Sequence, residues 1–328
     1  MRRRYFRTGL LGLVLVQMFP QLLAFVEAAQ LGEPLERDLV FLAVADEEQG
    51  SVLGVRWLME HRRDVFEGVQ YALNEGGITE MTRDRIVYYA IETGGRQVRE
   101  FRLTADEAES LEELEERWQD LKFAVEMETL LPEIEDYFRH IAPFRRHFGP
   151  LIEDIRATHE AGELGQVHPS YLVLLQNNIA FSEIEKLPDG RFERRAVLWY
   201  LPGTDPAPLT ERIIADTSEL GVEAVISPNS SPPIVGFSSV DNSFFELFEQ
   251  KVHEVYGDQV VVGPMVATKG LTDCRFLRAE GIDCYGIWPF PVSVYDSRGI
   301  HSVDERLRLD WFISGIELMT RAVRGWVS

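Results

Sequence analysis

Residues 37–48 read Arg-Asp-Leu-Val-Phe-Leu-Ala-Val-Ala-Asp-Glu-Glu, and this stretch decides the fold class. The unbroken apolar run Leu39–Ala45 has the composition of a strand buried on both faces of a mostly parallel sheet. Asp46, Glu47 and Glu48 then fall at its carboxyl end. In an open α/β sheet that edge is where ligands and catalytic groups collect. Three adjacent acids repel one another, so holding them together is costly unless a cation compensates. Taken alone, an Asp-Glu-Glu is more simply a solvated loop. Here Gly50, Gly54 and the helical stretch Val55–His61 follow at once, giving strand, acidic turn, then helix.

Further chemistry-bearing residues recur downstream. Ala72-Leu73-Asn74-Glu75-Gly76-Gly77 places a second carboxylate on a glycine-flanked turn, and Gly270-Leu271-Thr272-Asp273-Cys274-Arg275 a third. Ile300-His301-Ser302-Val303-Asp304-Glu305-Arg306 adds a histidine. Carboxylates plus a histidine on separate loops suit a hard-to-borderline divalent metal such as zinc. Each motif alone is weak; their order along the chain is specific.

That ordered set resembles the co-catalytic zinc metallopeptidases of the aminoacylase, acetylornithine deacetylase and glutamate carboxypeptidase type (the M-twenty family), over essentially the whole chain. The resemblance implies an α/β fold: a catalytic domain with a mixed, mainly parallel sheet and flanking helices, and an inserted α+β lid or dimerisation domain. On that pattern residues 1–85 and 241–328 form the catalytic domain and 86–240 the insertion. It also implies that Glu47 is the general base, that Glu48, Glu75 and His301 are metal ligands, and that Asp273 and Arg275 shape the substrate site. The implied cofactor is zinc, two ions per site, with cobalt or manganese as substitutes. The implied reaction is hydrolysis of an amide bond in an N-acyl amino acid or small peptide, by a homodimer.

The chain departs from that pattern in three places. A His-x-Asp motif and a later bridging aspartate belong upstream of the acidic strand, but only 36 residues precede Arg37 and neither motif is among them. One metal would then keep Glu48 and His301 and the other only Glu75, fewer than the three protein ligands of an ordinary catalytic zinc. No histidine follows Leu103-Thr104-Ala105, where the family's lid loop carries one, and Trp199 stands where the family has an arginine. His168, before Pro169, is a weak substitute for the lid histidine. A non-catalytic paralogue serving dimerisation or ligand binding is therefore the alternative function.

The N-terminus admits more than one explanation. Basic Arg2-Arg3-Arg4, the apolar stretch Gly9–Phe25 and the pair Ala28-Ala29 imitate a secretory signal. Residues 8–30 also have the length of the helix that precedes the acidic strand in the family, which favours a cytoplasmic protein over a secreted or anchored one. Gln17, Pro20 and Gln21 interrupt any membrane span.

Composition narrows the rest. Fifty-four acids against 33 Lys plus Arg leave a net charge of −21, which repels phosphate backbones and speaks against nucleic acid. The two cysteines, Cys274 and Cys284, are too few for a disulfide framework and are expected to be small core residues. Between Asp106 and Glu116, Leu111 and Leu114 are nearly the only apolar residues among seven acids, the pattern of a helix with one face in water.

Overall fold

The computed structural model describes residues 5–7, 12–32, 34–82, 85–122, 124–125, 130–232, 235–268, 270–292 and 306–328. His301 and its motif lie outside the described residues.

Two sheets organise the chain. The first has five strands, in the order Val261–Ala267, Arg85–Gly95, Asp283–Gly286, Tyr71–Asn74, with Thr79–Thr82 also paired to Arg85–Gly95. Val261–Ala267 runs parallel to Arg85–Gly95, and Asp283–Gly286 parallel to Tyr71–Asn74. The Thr79–Thr82 strand is antiparallel, and Gly286 meets Glu92 in a single antiparallel bridge. Tyr88, Tyr89, Ala90 and Ile91 are all buried, because this strand is covered on both faces. On one side lie the helices Ser243–Tyr256 and Leu309–Val327, whose Phe245, Phe248, Leu318 and Met319 pack with Tyr89 and Ile91. On the other, the helix Pro132–Ile141 packs Ile134, Phe138 and Ile141 with Tyr88 and Ala90.

The second sheet is antiparallel throughout, in the order Glu223–Ile226, Gln97–Ala105, Phe192–Tyr200, Gln176–Phe181, Ala124–Val125, with Glu185–Lys186 on Phe192–Tyr200. The helix Ala108–Arg117 buries Leu111 and Leu114 against Phe101, Leu103 and Leu198, with Ile213 from the helix Ala207–Glu219. The chain therefore has a mixed α/β architecture with a parallel-rich sheet and an antiparallel one.

Two expectations need correction. The strand Arg85–Gly95 belongs to the first sheet, so the crossing into the second falls at Arg96, ten residues beyond the boundary set at 86. Leu39–Ala45, expected to be a doubly buried strand, joins no ladder among the described residues, and Val40 and Leu42 are 56% and 40% exposed. Composition alone cannot supply a ladder: the strand at either end of the first sheet, Val261–Ala267 or Tyr71–Asn74, pairs inward and not with this run.

The apolar stretch near the N-terminus forms the helix Gly12–Ala29, interrupted in sequence but not in structure by Pro20. It lies along Leu309–Val327, with Ala24 in the core and the Phe19 ring 6.1 Å from that of Phe312. Among the described residues no helix is long and apolar enough to cross a membrane.

Candidate active site

The acidic turn is wound tightly. Asp46 and Ser51, at φ 72° and 61°, are the two non-glycine residues with left-handed backbone among the described ones, and both flank Glu47–Gln49. Such conformations are costly for L-residues and persist only where surroundings impose them. Here the Asp46 carbonyl accepts from the Gln49 and Ser51 amides at 3.1 and 2.7 Å, and its carboxylate accepts from the Leu53 amide at 2.9 Å. Gly54 brings its Cα directly against the Ala45 carbonyl, a space that no Cβ could share. Arg56 then ties the turn outward, donating to the Pro228 carbonyl at 2.6 Å.

Two further segments converge on this turn. Glu75 follows the strand Tyr71–Asn74, and the left-handed Gly76 and Gly77 turn the chain beside Glu92 and Gly286. Asp273 precedes the helix Cys274–Ala279 and accepts a short hydrogen bond from the Ser51 hydroxyl. Arg275, two residues on, is 4% exposed, with its guanidinium 4.7 Å from the Phe276 ring.

Electrostatics show how closely these groups are grouped. Burial, then the charges of Glu75, Asp273 and Glu48, push the Glu47 carboxyl up to about 8, against the opposing pull of Arg275. Burial, then Glu48, Asp273 and Glu92, lift Glu75 to about 7. Asp273 is raised by burial although Ser51 and Arg275 favour its charged form. Arg275 is lowered by burial, and its Nε and Nη1 have no hydrogen-bond partner among the described residues. A buried guanidinium with unfilled donors costs free energy that a bound anion or carbonyl oxygen would recover.

The structure thus brings Glu47, Glu48, Glu75, Asp273 and Arg275 within mutual electrostatic reach. In kind, carboxylates that lift one another are the donors a hard divalent cation satisfies. In number, they fall short: among the described residues no three His, Cys, Asp or Glu side chains stand close enough to hold an ion. Glu48 and Glu75 are the available donors.

Sequence reasoning missed several supports. Ser51 and Arg56 gave no signal because a serine or arginine after a turn is commonplace. Glu92 did give one, as a lone acid inside a buried strand. It is held by Arg278, which donates to the Glu92 carbonyl at 3.0 Å and reaches its carboxylate at 3.5 Å. Trp199 pairs with Val98 and Asn178 and lies 5.4 Å from the Arg96 guanidinium. His168 is committed elsewhere: its Nδ1 accepts from the Ser170 amide at 3.2 Å and its ring lies against Phe148 and Tyr171.

The sequence profile of the peptidase family M20/M25/M40 matches residues 17–325. The chain belongs to that family. Its members are metal-dependent hydrolases. The fold is similar to that of an M20 family metallo-carboxypeptidase from Sulfolobus solfataricus, with a TM-score of 0.62 at 13% identity over 95% of this chain and 75% of the other. It is similar as well to human carnosine dipeptidase 1, with a TM-score of 0.60 at 13% identity over 95% of this chain and 72% of the other. No curated protein matches the sequence.

Proposed function

We propose that this protein of the M20/M25/M40 family hydrolyses an amide bond in an N-acyl amino acid or small peptide. The observation that carries this reading is the convergence of Glu47, Glu48, Glu75 and Asp273 from three separate segments around a buried Arg275. Acids packed so closely are costly to a fold, and nothing in the packing of either sheet requires them there.

In this account Glu47 takes a proton from the attacking water and passes it to the leaving nitrogen. A base that exchanges protons near neutral pH is suited to both steps. Arg275 offers its free Nε and Nη1 to an anionic or carbonyl oxygen of the substrate. Asp273, fixed by Ser51, holds the turn that aims Arg275. Zinc held by Glu48 and Glu75, with His301 as the family's further donor, would supply the positive charge that polarises the amide carbonyl and acidifies water. We assign the homodimer contact to the second sheet, whose outer strand Glu223–Ile226 leaves Val225 and Ile226 40% exposed.

The absence of a lid histidine after Ala105, and Trp199 in place of the family's arginine, favour one alternative, a non-catalytic protein that keeps the fold for binding or dimerisation. The two readings part on one assay. Glu47→Gln keeps the shape of the side chain and removes the base, so zinc-supplemented hydrolysis of N-acyl amino acids and dipeptides should fall by about 10²-fold or more. Equal rates in the two proteins would remove Glu47 from the mechanism, and no rate in the native chain would leave the binding role.

A further inference from the structure

The chain has two cysteines, and although they are ten residues apart their sulfurs lie 2.7 Å from each other. Both are fully buried. Cys274 opens the helix Cys274–Ala279, and Cys284 sits in the strand Asp283–Gly286. The turn between them is locked by backbone bonds, Ile282 to the Leu277 carbonyl at 3.1 Å and Gly281 to the Arg278 carbonyl at 3.0 Å. Gly281, at φ 81°, lets the chain reverse there. Sulfur proximity is thus set by the backbone, and closing the pair to the ~2.05 Å of a disulfide asks for only a small side-chain movement.

We propose that Cys274 and Cys284 are an oxidisable dithiol, a site of reversible disulfide formation that links the Asp273–Arg275 turn to the first sheet. The strand carrying Cys284 is laddered to Tyr71–Asn74, which leads into Glu75, and its Gly286 bridges Glu92. Oxidation would therefore fasten two of the three segments that build the acidic site to one another. The chemistry requires a small-molecule disulfide such as oxidised glutathione, admitted by local opening of the six-residue helix. The Cys274 thiolate attacks one sulfur of that disulfide and expels a thiolate, forming a mixed disulfide. Cys284 then loses its proton, attacks the Cys274 sulfur and expels the second thiolate. In total the two protein thiols give up two electrons and two protons, and the small disulfide is reduced to two thiols.

The surroundings support this order of events. Burial opposes ionisation of both sulfurs, but for Cys274 the hydrogen bond from Cys284 and the neighbouring Arg278 cation outweigh it and lower its pKa. Cys284 is raised by burial and by its contact with Cys274. Arg278 is itself fixed on the Cys284 carbonyl, at 2.7 Å from Nη2 and 3.0 Å from Nε. Cys274 is the attacking sulfur and Cys284 the resolving one.

The test equilibrates the full chain in a series of reduced and oxidised glutathione mixtures, starting from both fully reduced and diamide-oxidised protein. After an acid quench the chain is unfolded, alkylated with iodoacetamide and weighed. The alkyl groups should fall from two to none in one two-electron step, with a peptide linking Cys274 to Cys284. Cys284→Ala should instead stop at a glutathione adduct on Cys274. Two alkyl groups at every ratio, in sub-denaturing urea as well as without it, would overturn the proposal. So would a glutathione adduct on the native chain with no internal link.

Discussion

Glu47 and Glu75 hold their protons far more tightly in the fold than in the unfolded chain, where a glutamate titrates near ~4.3. Burial is the main reason, followed for each by the charges of neighbouring acids. Without metal these two carboxyls therefore bind more protons in the folded chain than in the unfolded one from about pH 4.3 up to about 8. The stabilisation from these protonated carboxyls is complete below the unfolded value and is lost as pH rises through about 7 for Glu75 and about 8 for Glu47. In chelator, thermal unfolding should come at a lower temperature near pH ~8.5 than near pH ~5.5, and Glu47→Gln should narrow that gap. An identical gap in the variant would mean that the Glu47 carboxyl is not raised as described. Excess divalent cation should raise the high-pH melting temperature by binding the folded state. The residue types of this site were legible from Asp46-Glu47-Glu48, Asn74-Glu75-Gly76 and Asp273-Cys274-Arg275. Their supports were not, because the Ser51–Asp273 bond joins positions 222 apart and no local pattern announces it.

At the scale of elements, amphipathic helical segments could be read directly. Val55–His61 is helical over the range its pattern predicts, and Leu111 and Leu114 of the acidic helix are fully buried. Leu111→Ala should cost about 2–5 kcal/mol of unfolding free energy in denaturant titrations, since it opens a cavity under the second sheet. The run Leu39–Ala45 could not be read from composition, because a strand also needs a partner with free hydrogen-bonding groups. Its exposed side chains give the opposite prediction: Leu42→Ala should change stability by no more than about 0.5 kcal/mol. A loss in the core range would show that Leu42 is covered in the native protein. Turns are more demanding. Gly76 has φ 133°, and an added Cβ would stand 2.9 Å from the Gly286 Cα and against the Glu92 carboxylate. Gly76→Ala should therefore destabilise by about 1–3 kcal/mol, and the same denaturant titration would reveal a tolerant turn as an unchanged midpoint.

Across the whole molecule, an acidic chain of net charge −21 gathers carboxylates still more densely at one place, between the first sheet and the Asp273–Arg275 turn. General acidity keeps a protein soluble and does not account for acids drawn together from separate segments. The family's members are metal-dependent hydrolases, and the cation site proposed above would account for those acids. The fold class was accessible through the ordered motifs and the family they resemble, whereas the crossing between sheets at Arg96 emerged only from strand pairing. The most direct test is a calorimetric titration of chelator-stripped protein with zinc near pH ~7.5, in two buffers of different ionisation heat. The account predicts saturable binding accompanied by proton release, because Glu47 and Glu75 are partly protonated there, and at least about tenfold weaker binding by Glu75→Gln. Absence of saturable binding, or binding equal in the two proteins, would contradict it.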